Sequence, residues 1–125
     1  MGRLSPRVHG ILDYLTILLL ILSPYLFGMQ SAASVFTYSL AFIHLALTLL
    51  TDFEMGLLRI IPLPVHGAIE LLVSILLVVV ATAFRFWNDV TSFYFYLVFA
   101  GVLFIVWLFS TYNTASAERQ KNLLH

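Results

Sequence analysis

Four continuous apolar stretches make up most of the chain, and each is long enough to cross a lipid bilayer as a helix. They lie at about residues 8 to 28, 34 to 52, 65 to 86 and 91 to 112. A helix needs about 20 residues to span a hydrocarbon core of roughly 30 Å. The stretches lack the alternation of apolar and polar residues that marks the strands of a membrane barrel. The sequence therefore predicts an all-α fold, a bundle of four transmembrane helices.

The composition agrees with a membrane location and excludes several classes of function. Hydrophobic residues make up 62% of the chain, charged residues 10%, and the mean hydropathy is +1.02, so polar residues are too few to cover a soluble globule. The formal net charge is zero and the basic residues are scattered, which argues against nucleic acid as a partner. Cysteine is absent, which excludes disulfides, thiolate metal sites and thiol redox chemistry. The predicted partner is the lipid bilayer.

The positions of the basic residues predict the orientation in the membrane. Five of the six fall on one side of the predicted bundle, namely Arg3, Arg7, Arg59, Arg119 and Lys121. The other side holds Arg85 alone. Because lysine and arginine accumulate on the cytoplasmic side, both termini are predicted to be cytoplasmic, in a membrane such as the prokaryotic inner membrane.

The connections between the stretches predict how the chain is organised. Residues 29–33 and 87–89 are short connections, so they should join antiparallel helices into two hairpins, with Asp89 or Thr91 capping the last helix. We expect one membrane domain over residues 1–125, divided into a first repeat (5–54), a mildly amphipathic interfacial linker (53–64), a second repeat (62–112) and a cytoplasmic tail (113–125).

A histidine followed by an acid occurs twice at the same spacing. Val8-His9-Gly10 returns 57 positions later as Val65-His66-Gly67, and the acids Asp13 and Glu70 follow each histidine by four residues. Each half contains two spans, so the halves should share one topology and be related by a pseudo-twofold axis along the membrane normal. Both pairs would then lie at a similar depth.

These ionisable residues predict a single polar site near the cytoplasmic side. A spacing of four places histidine and acid on one face of a helix, about 6 Å apart along its axis. His44, on the second helix, is expected at a similar level. The predicted metal ligands are His9, Asp13, His44, His66 and Glu70, and the three histidines among them are also predicted cofactor ligands.

Several interpretations of this site stay open. The leading hypothesis is a small intramembrane binding protein that holds a divalent metal ion, a haem with His9 and His66 as axial ligands, or protons. A structural or assembly protein is the main alternative, because buried polar pairs also fix helix packing. Proton-coupled transport of a small solute by a homo-oligomer is another, with Asp52 and Tyr38 extending the pathway. A zinc hydrolase ranks lowest, since the sequence singles out no catalytic residue, and whether the chain is an enzyme stays open.

One further motif lies near the end of the first stretch. Ser23-Pro24-Tyr25-Leu26-Phe27-Gly28 resembles the signature of the SPW-repeat family, small bacterial and archaeal membrane proteins built from two-helix units. Tyr25 stands where that signature has tryptophan, and the second half, at residues 80–85, lacks the serine and proline. The resemblance implies the topology and the membrane location, but it implies no biochemical role.

Overall fold

The computed structural model describes residues 4–53 and 55–110, which form four helices. The helices are α1 (Pro6–Leu26), α2 (Ser31–Leu50), α3 (Leu63–Phe86) and α4 (Val90–Phe109). All four are long and apolar enough to cross a membrane. The all-helical fold with four such helices is therefore confirmed, whereas the predicted tail (113–125) lies outside the described residues.

The helix boundaries follow from the residues that can cap or open a helix. Ser5 precedes α1, and its hydroxyl accepts a hydrogen bond from the Val8 amide. Asp89 caps α4 by accepting hydrogen bonds from the amide of Ser92 at 3.1 Å and from its hydroxyl at 2.8 Å. The third helix begins at Leu63, two residues earlier than predicted, because a proline at position 64 is tolerated in the first turn of a helix.

The helices pack as two hairpins that touch each other at both ends of the bundle. Hairpin 1 is formed by α1 and α2, and hairpin 2 by α3 and α4. At one end α1 meets α3, where His9 contacts Glu70. Towards the other end α2 meets α4, where Thr37 contacts Tyr96. Small residues such as Ala33 and Ala81 are completely buried, which lets the helix backbones come close together.

The distribution of polar residues is inverted relative to that of a soluble protein. Large apolar side chains face outward, among them Phe42 at 73% exposure and Val98 at 67%. Histidines, acids and hydroxyls are inside, and His66, Thr37 and Ser92 are completely buried. Because an apolar outer surface needs apolar surroundings, this arrangement suits a bundle embedded in lipid.

The linker between the hairpins folds back on the end of α2. Amides of Leu57 and Leu58 donate to the Leu49 carbonyl at 2.7 and 3.0 Å. The amide of Asp52 donates to the Ile61 carbonyl at 2.7 Å. These bonds form a compact loop over the end of the bundle where α1 meets α3.

Candidate metal centre

Four ionisable side chains face one another where α1 crosses α3. We call His9, Asp13, His66 and Glu70 the polar cluster. In each helix the histidine lies one turn before the acid, so both project from the same face. None of the four side chains is more than 3% exposed. Four groups that can each carry a charge are therefore enclosed together, away from water.

The contacts within the polar cluster are reciprocal. His9 Nε2 lies 2.9 Å from Glu70 Oε2 and 3.3 Å from Asp13 Oδ2. His66 Nε2 lies 3.1 Å from Asp13 Oδ2 and 3.4 Å from Glu70 Oε2. Each nitrogen thus contacts both carboxylate oxygens. The potential ligand atoms of the four residues all lie within 4.8 Å of one another.

These distances approach those between the ligand atoms of a tetrahedral metal ion. Ligands held at about 2.0–2.2 Å from a zinc ion lie about 3.3–3.6 Å from one another. The four nitrogen–oxygen distances in the cluster run from 2.9 to 3.4 Å. Four of the six ligand–ligand distances are thus close to those of a tetrahedral site, and the other two are no more than 4.8 Å.

Two hydroxyl groups contact the outer nitrogens of the histidines. Ser110 Oγ lies 2.6 Å from His9 Nδ1, and Thr51 Oγ1 lies 2.7 Å from His66 Nδ1. Each hydroxyl belongs to the residue that directly follows the second helix of a hairpin. Neither residue was predicted from the sequence. The signal it offered is weak, since a hydroxyl at the end of an apolar helix is common.

His44 lies beside the polar cluster. Its Nε2 atom is 3.0 Å from Thr16 Oγ1 and 3.9 Å from Asp13 Oδ1. His44 and Glu70 also line a small cleft of about 40 Å³ between the helices. The structure therefore brings all five predicted ligands into one region, where His44 lies next to Asp13 but outside the group of four.

The linker loop covers the polar cluster at the end of the bundle. Phe53 is 1% exposed, and its ring centroid lies 6.0 Å from that of His66. Tyr14 donates a hydrogen bond to the Met55 carbonyl at 2.7 Å. A Cβ atom added to Gly10 would lie only 2.6 Å from Met55 Cβ and from Phe53 Cε2. Glycine at position 10 thus allows the loop to press against α1.

The geometry does not suit the haem that the sequence left open. The imidazole centroids of His9 and His66 are 5.4 Å apart. Both carboxylate oxygens contact both Nε2 atoms, so they occupy the space that a porphyrin would need between two axial histidines.

The two predicted proton-pathway residues are not members of the polar cluster. Tyr38 is on α2 with 49% of its surface exposed, and Asp52 is in the loop after that helix. Among the described residues, the hydrogen bonds and ion pairs of the cluster reach other residues, such as Ser110 and Thr51.

Comparison with protein-family models, with curated proteins and with solved structures gives no significant match. The resemblance to the SPW-repeat family therefore stays a prediction. The function has to be argued from the site itself.

Proposed function

We propose that this chain is a small integral membrane protein that binds one divalent transition-metal ion, zinc by preference, in the polar cluster. The reciprocal geometry of the cluster carries this proposal: His9 and His66 each direct Nε2 at the same two carboxylate oxygens. A donor set of two imidazoles and two carboxylates is one that zinc accepts readily in tetrahedral geometry. Calcium and magnesium prefer sites built from oxygen alone.

The charge of the cluster supports the same conclusion. Asp13 and Glu70 together carry two negative charges when ionised, whereas neutral histidines carry none. Uncompensated charges in a buried site cost several kcal/mol each. A divalent cation would neutralise the two carboxylates and contact all four ligands at once. The cluster is thus balanced for an ion of charge +2.

The number of ligands favours a holding role over catalysis. Four protein ligands complete the coordination of a tetrahedral ion, whereas catalytic zinc sites keep a position open for water or substrate. Each hairpin supplies one histidine and one acid, so the ion would join α1 to α3. We therefore propose that metal binding stabilises the docking of the two hairpins.

The proposal includes the arrangement in the membrane. Basic residues at both ends of the chain favour cytoplasmic termini and a prokaryotic inner membrane. Leu4 pairs with Ser110 and Ile61 pairs with Thr51, so the segment before each hairpin's first helix meets the end of the other hairpin's second helix. These matching contacts support two parallel repeats related by a pseudo-twofold axis. Membership in the SPW-repeat family is part of the same proposal.

A second candidate function follows from the shortest contact. The 2.9 Å between His9 Nε2 and Glu70 Oε2 also suits a hydrogen bond between a protonated imidazole and a carboxylate. In that state the cluster would hold protons instead of a metal ion, and its role would be to fix the packing of α1 against α3.

Metal analysis of the full-length protein separates the two candidates. Purified in detergent and stripped with a chelator, the wild type should take up one zinc ion per chain in competition with a chromophoric chelator. Glu70→Gln keeps the shape of the side chain but removes a charged ligand, so it should weaken zinc binding by more than the roughly 10- to 100-fold typical of outer-shell changes.

His44→Leu is the matched control for that experiment, since it removes a buried histidine that lies 3.9 Å from Asp13 but not among the four ligands. It should keep one zinc ion per chain. A wild type that binds no zinc and whose stability zinc does not change would overturn the metal proposal in favour of the second candidate. An equal loss in His44→Leu and Glu70→Gln would mean that His44 is itself a ligand.

A further inference from the structure

The hydroxyls of Ser110 and Thr51 each contact a backbone carbonyl as well as a histidine, and this carbonyl contact shows where the hydroxyl proton lies. Ser110 Oγ lies 2.5 Å from the Val106 carbonyl, one helical turn earlier. A carbonyl oxygen only accepts hydrogen bonds, so the single hydroxyl proton of Ser110 goes to Val106. The Ser110 oxygen must then accept from His9, and the proton of that contact lies on His9 Nδ1.

The same assignment holds in the other hairpin. Thr51 Oγ1 lies 2.6 Å from the Leu47 carbonyl, to which it donates its proton. Its 2.7 Å contact with His66 Nδ1 is therefore one in which the histidine donates. Both imidazoles carry a proton on Nδ1, and both Nε2 atoms are left to face the carboxylates.

We infer that Thr51 and Ser110 are positioning residues of the metal centre, each holding a histidine in the Nδ1–H tautomer so that the Nε2 lone pair points at the ion. This inference rests on the proposed function. Histidines that bind metal usually donate their second ring N–H to an oxygen, which fixes the tautomer and the orientation of the ring.

His44 gives an internal contrast. Thr16 Oγ1 donates its proton to the Asp13 carbonyl at 2.8 Å, so its 3.0 Å contact with His44 Nε2 is one in which the histidine donates. His44 thus carries a proton on the nitrogen nearest the cluster. His44 therefore directs an N–H towards the polar cluster, whereas His9 and His66 direct their Nδ1–H away from it, to Ser110 and Thr51.

The two positioning residues are exchanged between the hairpins. Ser110 of hairpin 2 orients His9 of hairpin 1, and Thr51 of hairpin 1 orients His66 of hairpin 2. Neither hairpin contains a complete site, because each lacks both two ligands and the hydroxyl that orients its own histidine. Metal affinity should therefore depend on how the hairpins dock.

Substitutions that delete only the hydroxyls test the inference. Thr51→Val and Ser110→Ala, each in the full-length protein, should weaken zinc binding about 10- to 100-fold in chelator competition, the usual range for outer-shell partners. The conservative variants Thr51→Ser and Ser110→Thr should restore the wild-type affinity, because each keeps a hydroxyl at the same position.

Two buried hydroxyls elsewhere provide matched controls. Thr48 Oγ1 donates to the His44 carbonyl at 2.8 Å, and Ser74 Oγ donates to the Leu71 carbonyl at 2.7 Å. In the part of the chain that the structure describes, neither hydroxyl bonds an imidazole ring. Thr48→Val and Ser74→Ala should therefore leave zinc affinity unchanged, which separates loss of a positioning contact from loss of a helix hydroxyl.

Nitrogen-15 NMR of histidine-labelled protein supplies a readout that a merely structural role would not change. Zinc-loaded wild type should show a hydrogen-bonded proton on Nδ1 of His9 and of His66, and zinc-loaded Thr51→Val should lose that hydrogen-bonded N–H signal at His66 alone. If the wild type binds zinc and both hydroxyl-free variants bind it equally well, the inference is wrong while the metal site stands. If the wild type itself binds no zinc, the proposed function fails first.

Discussion

Two of the regions where the hairpins meet are built from opposite kinds of side chain. Where α1 meets α3, the contact consists of four ionisable side chains no more than 3% exposed. Where α2 meets α3 and α4, it consists of aromatic rings around one hydrogen bond, the 2.5 Å contact from the Tyr96 hydroxyl to Thr37 Oγ1. We call this second region the aromatic contact, which also includes Phe36 and Phe84, with ring centroids 5.3 and 5.9 Å from that of Tyr96.

The difference shows what each contact depends on. Aromatic packing rests on dispersion and close fit, so the aromatic contact needs no ion and no particular protonation state. The polar cluster holds together only if its charges are balanced by protons or a metal ion. The aromatic contact therefore stabilises the bundle with or without a metal ion, whereas the polar cluster stabilises it only when its charges are balanced.

The largest expected effect on stability comes from removing the central ring of the aromatic contact. Tyr96→Ala leaves a cavity beside Phe36 and Phe84 and should lower the free energy of unfolding by about 3–5 kcal/mol. Unfolding in mixed detergents followed by circular dichroism measures it. Tyr94→Ala, on the same helix but 59% exposed, is the control and should change little. If Tyr96→Ala also abolished zinc binding, the two contacts would not be independent.

A smaller effect is expected at the glycine under the linker loop. A Cβ at position 10 would lie 2.6 Å from atoms of Phe53 and Met55, so Gly10→Ala should displace the loop. Overpacking of this kind typically costs about 1–3 kcal/mol. Because the loop covers the polar cluster, zinc should also leave the variant faster, as measured by transfer to a chelator.

Gly101→Ala is the matched control, since among the described residues nothing lies within 4 Å of a Cβ added there. Replacing a helical glycine by alanine in open space should be neutral or stabilising by up to about 1 kcal/mol. Equal zinc release from both glycine variants would show that the loop does not control access.

The smallest expected effect comes from the hydroxyl of the aromatic contact. Tyr96→Phe keeps the ring and deletes one hydrogen bond, so it should cost about 1 kcal/mol. Thr37 would keep its 2.7 Å hydrogen bond to the Ala33 carbonyl. Tyr38→Phe, on the outer surface of the neighbouring helix, serves as the control in the same unfolding assay. A change in zinc affinity with either variant would contradict the separation of the two contacts.

The spacing of the ionisable residues predicted the polar cluster, whereas no pattern in the sequence indicated the aromatic contact. The equal spacing of His9 with Asp13 and of His66 with Glu70 predicted two faces that the structure brings together at one crossing. Thr37 and Tyr96 gave no comparable signal, because threonine and tyrosine are unremarkable in an apolar helix. The two residues are 59 positions apart in the sequence, so their pairing depends on how α2 and α4 approach each other.

The sequence also gave no indication that the linker loop covers the polar cluster. The prediction of an interfacial linker over residues 53–64 gives no sign that Phe53 lies buried beside His66. Backbone bonds from Leu57 and Leu58 to Leu49 decide that conformation, and no periodic pattern encodes them. Local patterns specify helices well because helical hydrogen bonds connect residues four apart.

The sequence by itself determined that this protein consists of four long apolar helices with a repeated histidine and acid on two of them. Those properties depend on neighbours along the chain, where composition and spacing are sufficient. Only the tertiary structure decided which atoms of His9, Asp13, His66 and Glu70 face one another, and that His44 lies outside this set of four. It also decided that hydroxyls of the opposite hairpin contact the two histidines. His9 and Ser110 are 101 positions apart in the sequence, so their contact arises only from the packing of complete helices.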